Sequence, residues 1–216
     1  MDEEYAEFIG IYVGDGSVDA RKRKHSYEFK IVGNPKDEIE YYSFVSLLAS
    51  KITGRSITPK ALDCGRSIGI RFCSKILFES LNEISGTQTP QSLKRQIPKE
   101  ILRNKRLAMA FLRGLFDTDG GFTIKRKHKK EAYYPVVNFS QANGRIVIQV
   151  ARLLKELGIN ASTCLNRGYV DTRTGKTYTR SRIDIYGVHN TAAWFKTIGS
   201  HNPKILSKYA EFSSKV

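Results

Sequence analysis

Cysteine is scarce in this chain of 216 residues: there are three, Cys64, Cys73 and Cys164, and no two form a CxxC pair. An odd set without that spacing excludes a zinc ribbon and a disulfide framework. It reads as reduced thiols of an intracellular protein. Long apolar runs are missing as well. A stretch of about 18 apolar residues, the length that crosses a bilayer, occurs nowhere. The acidic start, Asp2-Glu3-Glu4, is unlike a secretory signal. Acidic residues are in short supply overall: 21 Asp and Glu stand against 36 Lys and Arg, a formal charge of +15 with a pI near 9.8. That surplus predicts a polyanionic partner, nucleic acid ahead of an anionic membrane surface. A membrane-surface protein would carry its basic residues on an amphipathic helix, whereas here they cluster on predicted strands. The hydrophobic fraction of 40% supplies a real core and excludes a disordered chain.

What is present is a duplicated pattern. Phe8-Ile9-Gly10-Ile11-Tyr12-Val13-Gly14-Asp15-Gly16 and Leu112-Arg113-Gly114-Leu115-Phe116-Asp117-Thr118-Asp119-Gly120 are apolar helical segments with a central glycine, each ending in Asp-Gly. Aligned on that ending, Ala6, Gly10 and Gly14 fall opposite Ala110, Gly114 and Thr118. Small residues at i, i+4 and i+8 share one helix face and let two backbones approach closely. If the helices pack on those faces, Asp15 and Asp119 emerge side by side. Each Asp sits at a helix C-terminus, where the dipole disfavours it, and the pair repel one another unless a cation intervenes. Mg²⁺ takes one or two carboxylates plus phosphate and water. The plainer alternative is that each Asp-Gly merely stops its helix, with Gly16 and Gly120 in a left-handed cap. Duplication of the whole pattern favours the paired-acid reading. Asp117, two residues before Asp119, points elsewhere and reads as a cap or ion-pair residue.

After each motif the same order of elements recurs. In the first half, strands at 17–23 and 26–32 are followed by a helix at 36–53, with Ile39, Phe44, Leu47, Leu48 and Ile52 as its apolar side. A hairpin at 56–72 turns near Cys64-Gly65, and a helix from Ser74 carries Ile76, Leu77, Leu81 and Ile84. In the second half, strands at 121–126 and 133–140 lead to a helix at 143–157, strands at 161–170 and 178–186, and a helix at 191–198. Each half thus reads αββαββα, an α+β architecture. The repeats occupy 1–86 and 106–216, with a connector at 87–105 that contains Pro90 and Pro98. Two such halves in one chain obey the geometry of a symmetric dimer.

Both motifs, together with the lead-in Ile97-Pro98-Lys99-Glu100-Ile101-Leu102 and the closing Gly121, resemble the LAGLIDADG signature. The chain is similar to single-chain, two-motif LAGLIDADG homing endonucleases. The first motif departs from the usual letters at Gly14 but keeps Gly10 and Asp15-Gly16. The resemblance implies two antiparallel sheets forming a saddle over double-stranded DNA, with the motif helices at the interface. It also implies hydrolysis of both strands to leave 3′ overhangs. Asp15 and Asp119 become the catalytic metal ligands, joined by the carbonyls of Gly14 and Thr118. They would share two or three Mg²⁺ ions, for which Mn²⁺ or Ca²⁺ substitutes in binding. A basic residue and a glutamine border such sites: Lys75 and Gln141 take those positions. In the second half the place of Lys75 falls near Gly187–His189, where His189 is the alternative to an absent lysine; in the first half Gly33-Asn34 stands where Gln141 would be. The two strands are therefore expected to meet non-identical sites.

Strand side chains alternate faces. One face of the first repeat carries Asp19, Arg21 and Arg23 with Ser26, Glu28 and Lys30. The second carries Thr123, Lys125 and Lys127 with Tyr134, Val136 and Asn138. Two-stranded ribbons enter the major groove, where Arg and Lys read guanine and Asn reads adenine. Lys24, Lys129 and Lys130, at the turns, serve better as phosphate anchors. Arg66, Arg71, Arg167, Arg180 and Arg182 on the second hairpins complete the candidates, and the alternative for all of them is a solvated hairpin. The expectation is a monomeric, magnesium-dependent endonuclease for a long asymmetric DNA site, without a small-molecule cofactor. An RNA-binding intron maturase on the same fold is the alternative; a regulator that has lost cleavage would lack one or both acids.

Overall fold

The computed structural model describes residues 1–21, 26–126, 133–172 and 174–214. Its most extensively packed pair of elements is the two motif helices. α1 (Glu3–Asp15) starts where the Asp2 carboxylate accepts from Tyr5 N, with Glu3 and Glu4 on the favourable side of the dipole. α5 (Lys105–Asp119) is capped by Asn104, whose side-chain oxygen accepts from the Arg106 and Leu107 amides. Each helix runs straight into a strand, β1 (Gly16–Arg21) and β5 (Gly120–Arg126). Gly16 (φ −77°, ψ 152°) and Gly120 (φ −105°, ψ −168°) are extended, so neither is a left-handed cap. What they provide is room: a Cβ on either would lie 2.6 Å from the carbonyl oxygen of the residue four earlier, Tyr12 or Phe116.

β2 (Ser26–Gly33), β3 (Lys60–Leu62) and β4 (Ser67–Cys73) complete the first sheet, ordered β1-β2-β4-β3. β6 (Tyr133–Gln141), β7 (Ser162–Val170) and β8 (Thr177–Tyr186) complete the second in the equivalent order, β5-β6-β8-β7. All pairings are antiparallel. The β3–β4 turn is tight, with Asp63, Cys64 and Gly65 all at positive φ. With α2 (Ile39–Thr53), α3 (Lys75–Ser85), α6 (Gly144–Glu156) and α7 (Val188–Thr197), each half is an αββαββα unit. A 3-10 turn at Pro90–Lys94, α4 (Lys99–Arg103) and α8 (Pro203–Ser213) lie outside the repeat and were not expected.

One core joins the halves. Phe8, Tyr12, Phe111 and Leu115 of the motif helices meet Phe29, Ile31 and Ile70 of the first sheet and Phe122, Phe139 and Ile183 of the second, all buried. Two helix faces differ from expectation. On α2 Ile39 and Leu47 are 56% and 68% exposed, and the buried stripe is Tyr41, Tyr42, Val45, Leu48 and Ala49. On α3 Ile76 is exposed and Phe78 is buried in its stead. Large aromatic rings bury more surface than aliphatic chains, and Tyr41, Tyr42 and Phe78, left out of the expected faces, turn both helices toward the core. The three cysteines are free and exposed. Among the described residues no helix is long and apolar enough to cross a membrane.

Candidate metal centre and nucleic-acid face

The motif helices pack closely through their glycines. A Cβ on Gly10 would lie 2.2 Å from Phe111 O, and one on Gly114 would lie 2.2 Å from Glu7 O. Ala6 and Ala110 are buried in the same helix pair, and Gly14 abuts Thr118, whose hydroxyl donates back to Gly114 O. This contact carries the two helix ends, and Asp15 and Asp119 with them, to a common place. Burial pushes the Asp15 carboxyl up to about 7, and the nearby Asp119 charge adds to that. Burial also raises Asp119, against the pull of Lys94 and Gln141. Two half-buried carboxylates that resist ionisation are a donor set that a divalent cation suits.

Each acid has its own hydrogen-bond donor. Gln141, at the end of β6, donates through Nε2 to Asp119 Oδ2. Tyr42, from α2, donates through its hydroxyl to Asp15 Oδ2 at 3.2 Å. A third polar group is Lys94, whose ammonium donates to the Gly14 carbonyl at 3.4 Å and interacts electrostatically with both acids. Burial lowers its pKa, and Asp119 and Asp15 pull it back up. The 3-10 turn holds Lys94 in place: Pro90 opens it, Leu93 is buried under it, and Gln91 Nε2 donates to Val18 O of β1. Neither Tyr42 nor Lys94 was read from the sequence. Lys94 stood in what looked like a connector, and Tyr42 was hidden by the misjudged face of α2. The alternation of buried Leu93 with Lys94 beside a proline was the available signal.

Lys75 is not at this centre. The register pairs Gly16 with Ile31 and Ile31 with Ile70, but Asp19 with Glu28 and Glu28 with Cys73. The end of β4 therefore lies toward the hairpin tip, away from Asp15, and the Lys75 ammonium sits 3.5 Å from Glu79 on an exposed helix turn. His189 is misplaced for the same reason, because Tyr186, just before it, pairs with Val136 while Gln141 pairs with Ser181. The expectation took the wrong end of an antiparallel strand. Asp117 is buried and accepts from Ser200 Oγ and, at 2.7 Å, from His201 N. Among the described residues no group of three or more His, Cys, Asp or Glu is arranged for a metal. An ion here would need phosphate, water and main-chain oxygens such as those of Gly14 and Thr118 besides the two acids.

The outward sheet faces carry the polar candidates. On the first, Asp19, Arg21, Ser26, Glu28, Lys30 and Arg71 share a face but neutralise one another: Arg21 meets Asp19 at 2.8 Å, Arg71 meets Glu28 at 2.8 Å, and Lys30 meets Asp63 at 2.7 Å. Arg66 donates to Asp63 O on the β3–β4 turn. On the second, Lys125, Asn138, Arg167, Arg180, Arg182 and Tyr186 border an open hollow of 690 Å³. Arg182 is held by Asp184, Lys125 lies over the Tyr186 ring and Arg180 over that of Tyr169. Thr123 pairs with Val136, which is buried, and Lys125 with Tyr134. Arg23, Lys24, Lys127, Lys129 and Lys130 lie outside the described residues.

Residues 106–199 match the family model of a LAGLIDADG-like domain. The whole chain shares the fold of solved LAGLIDADG homing endonucleases, in agreement with the motif pattern. I-DmoI in complex with DNA and Ca superposes with a TM-score of 0.63 over 96% of this chain and 97% of its own, at 15% identity. The I-LtrWI LAGLIDADG homing endonuclease bound to target DNA gives a TM-score of 0.54 over 98% of this chain and 89% of its own, at 13% identity. In sequence, the chain is 28% identical over 209 residues to the replication factor C small subunit of Methanocaldococcus jannaschii. That match takes in 97% of this chain, which spans only 10% of the length of that curated relative.

Proposed function

We propose that the chain is a site-specific endonuclease that hydrolyses both strands of double-stranded DNA at a long asymmetric target, leaving 3′ overhangs. The observation that carries this reading is the convergence of Asp15, Asp119 and Lys94 at one place between two sheets with polar outward faces. Two pseudo-equivalent acids offer one ligand set per strand. Divalent ions, Mg²⁺ by preference, would be held by the two carboxylates with main-chain oxygens of Gly14 and Thr118. Bound there, they supply an activated water and neutralise charge on the phosphate and the departing 3′ oxygen. Tyr42 and Gln141 fix the direction of the carboxylate oxygens. Lys94 brings a positive charge to the phosphate oxygens where negative charge develops. The paired charges of the first sheet position the duplex, and the second sheet, with Arg167, Arg180 and Lys125, takes more of the phosphate contacts.

Groove-facing residues differ between the repeats, which we place at 1–86 and 106–216 around a connector at 87–105, and an asymmetric target follows from that difference. One chain supplies both halves of the centre, so the active species is a monomer. Retention of both acids favours cleavage over a binding-only maturase role. The test is incubation of the chain and its Asp15→Asn and Asp119→Asn variants with Mg²⁺ and a randomised duplex library, with the cut ends sequenced. The wild type should yield one family of staggered ends, and each variant should still bind that duplex but make no double-strand cut. Double-strand cutting by both variants would remove the assignment.

A further inference from the structure

The two sheets make the repeats directly comparable at the metal centre. Gly16 pairs with Ile31 in the first sheet and Gly120 with Phe139 in the second. Two residues further along β2 and β6 stand Gly33 and Gln141, which are therefore equivalent positions. Gln141 reaches Asp119 with its amide. Gly33 has no side chain to reach Asp15, and none fits there. A Cβ would come within 2.3 Å of Glu38 Oε2, 2.6 Å of Tyr42 Cε2 and 2.9 Å of Tyr42 Oη.

The space is taken by the Glu38 carboxylate and the Tyr42 ring. Tyr42 is the fourth residue of α2, is fully buried, and donates to Asp15 Oδ2 at 3.2 Å. The fourth residue of α6 is Val147, buried and without a donor. A strand amide in one repeat and a helix phenol in the other thus each donate to the acid of their own repeat.

We infer that Tyr42 is a positioning residue: its phenol, seated over Gly33, orients Asp15 for the metal as Gln141 orients Asp119, so the two strands are served by differently supported acids. This rests on the endonuclease reading above. A hydrogen bond to a ligating carboxylate is worth about 10–100-fold in metal affinity or activity.

Two readouts test the inference. The first needs no cleavage: Mn²⁺ is titrated calorimetrically into the DNA-free protein. Tyr42→Phe, which keeps the ring and loses the donor, should weaken the ion by about 10–100-fold. Gly33→Ala, which keeps the phenol but crowds its ring and the Glu38 carboxylate, should do the same. The second follows both strands of the duplex separately. Tyr42→Phe and Gly33→Ala should accumulate a nick with the same strand left intact, and Gln141→Ala should leave the other strand intact. Unchanged Mn²⁺ affinity with the wild-type strand ratio would overturn the role of Tyr42, as would equal slowing of both strands. A wild-type chain that cuts neither strand, with a Tyr42→Phe variant that binds Mn²⁺ more weakly, would sink the endonuclease reading and leave the positioning role standing.

Discussion

Gly10 and Gly114 are reciprocal: the place where Gly10 would carry a Cβ is filled by the Phe111 carbonyl, and the place where Gly114 would carry one is filled by that of Glu7. Each helix thus presents its own missing side chain to the other's backbone. Phe111 lies three residues before Gly114, as Glu7 lies three before Gly10, so the contact has the form of a twofold within one chain. The candidate metal centre is set by this contact, since Asp15 and Asp119 each follow their glycine by five residues.

Alanine at either glycine must push the helices apart. Overpacking of this kind costs about 1–3 kcal/mol. For a domain of this size each kcal/mol lowers the melting temperature by about 2–4 °C. Gly10→Ala and Gly114→Ala should each show that loss by differential scanning calorimetry, whereas Gly121→Ala should not, because a Cβ there meets nothing within 4 Å. Equal melting temperatures for all three variants would refute the close-contact argument.

The same duplication explains what could be read from residues alone. A glycine-bearing helix that ends in Asp-Gly, twice, is a local pattern, and so are the turn at Cys64-Gly65 and the alternation along β1, β2, β5 and β6. Lys94 and Tyr42 reach the acids only because β1, the 3-10 turn and α2 meet in space, and no spacing along the chain encodes that meeting. Lys75 shows the converse. It follows a strand whose end looks adjacent to a site, but an antiparallel register places that end at the far side of the sheet. α8 was missed because it has no counterpart in the first repeat.

A charged network ties the helix pair to the segment before α8. Glu7, 3% exposed, accepts from Arg113 at 2.8 Å and contacts His201 Nδ1 at 2.7 Å. Burial pushes the Glu7 carboxyl up, but the bonds from His201 and Arg113 and their charges hold it below its ordinary value. Removing Arg113 leaves a buried carboxylate with one partner. Arg113→Ala should lose about 3 kcal/mol or more in urea unfolding at pH 7, and Glu7→Gln in the same background should recover part of it. A simple sum of the two losses would mean they do not interact. Glu7 alone contributes stability that is present above its unfolded pKa and disappears as pH falls through its lower folded one.

Lys94 and Lys75 separate the observed centre from the expected one. Loss of one aligned donor at developing charge costs about 100–1,000-fold in turnover. Lys94→Met should slow cutting on that scale while DNA affinity changes by less than about threefold, because one phosphate contact is a small share of the total. Lys75→Ala should cut at the wild-type rate, its ammonium being engaged with Glu79 in solvent. Single-turnover kinetics on one defined duplex decide between them, and the reverse ranking would return the role to Lys75.

Charge pairing within the sheets predicts how salt acts on DNA binding. Arg71 already has Glu28, whereas Arg180 lies over an aromatic ring beside the open hollow. Arg180→Ala should reduce the slope of log affinity against log salt by about one. Arg71→Ala should change it less, and Glu28→Gln, by freeing Arg71, should steepen it. Fluorescence anisotropy across a salt series measures all three slopes, and identical slopes would mean that neither arginine touches a phosphate.

Ionisation of the two buried acids weakens the ion-free fold. Asp15 has an ordinary pKa near 4 in the unfolded chain and about 7 in the folded one. A carboxyl raised on folding binds its proton more tightly in the native state. Its contribution is therefore favourable below the unfolded pKa and is lost as pH rises through about 4 to 7. Asparagine cannot ionise and still accepts the Tyr42 hydroxyl through Oδ1. Asp15→Asn should therefore be more stable than wild type at pH 8 in EDTA, on the order of 1–4 kcal/mol, with the gap closing toward pH 4. Mn²⁺ or Mg²⁺ should raise the wild-type melting temperature and leave that of the variant nearly unchanged, since bound cation stabilises only the chain that can hold it. Thermal melts at four pH values, with and without the ion, contain the whole test; a variant that loses stability at pH 8 would show that Asp15 is held as a settled salt-bridge carboxylate rather than as one awaiting a metal.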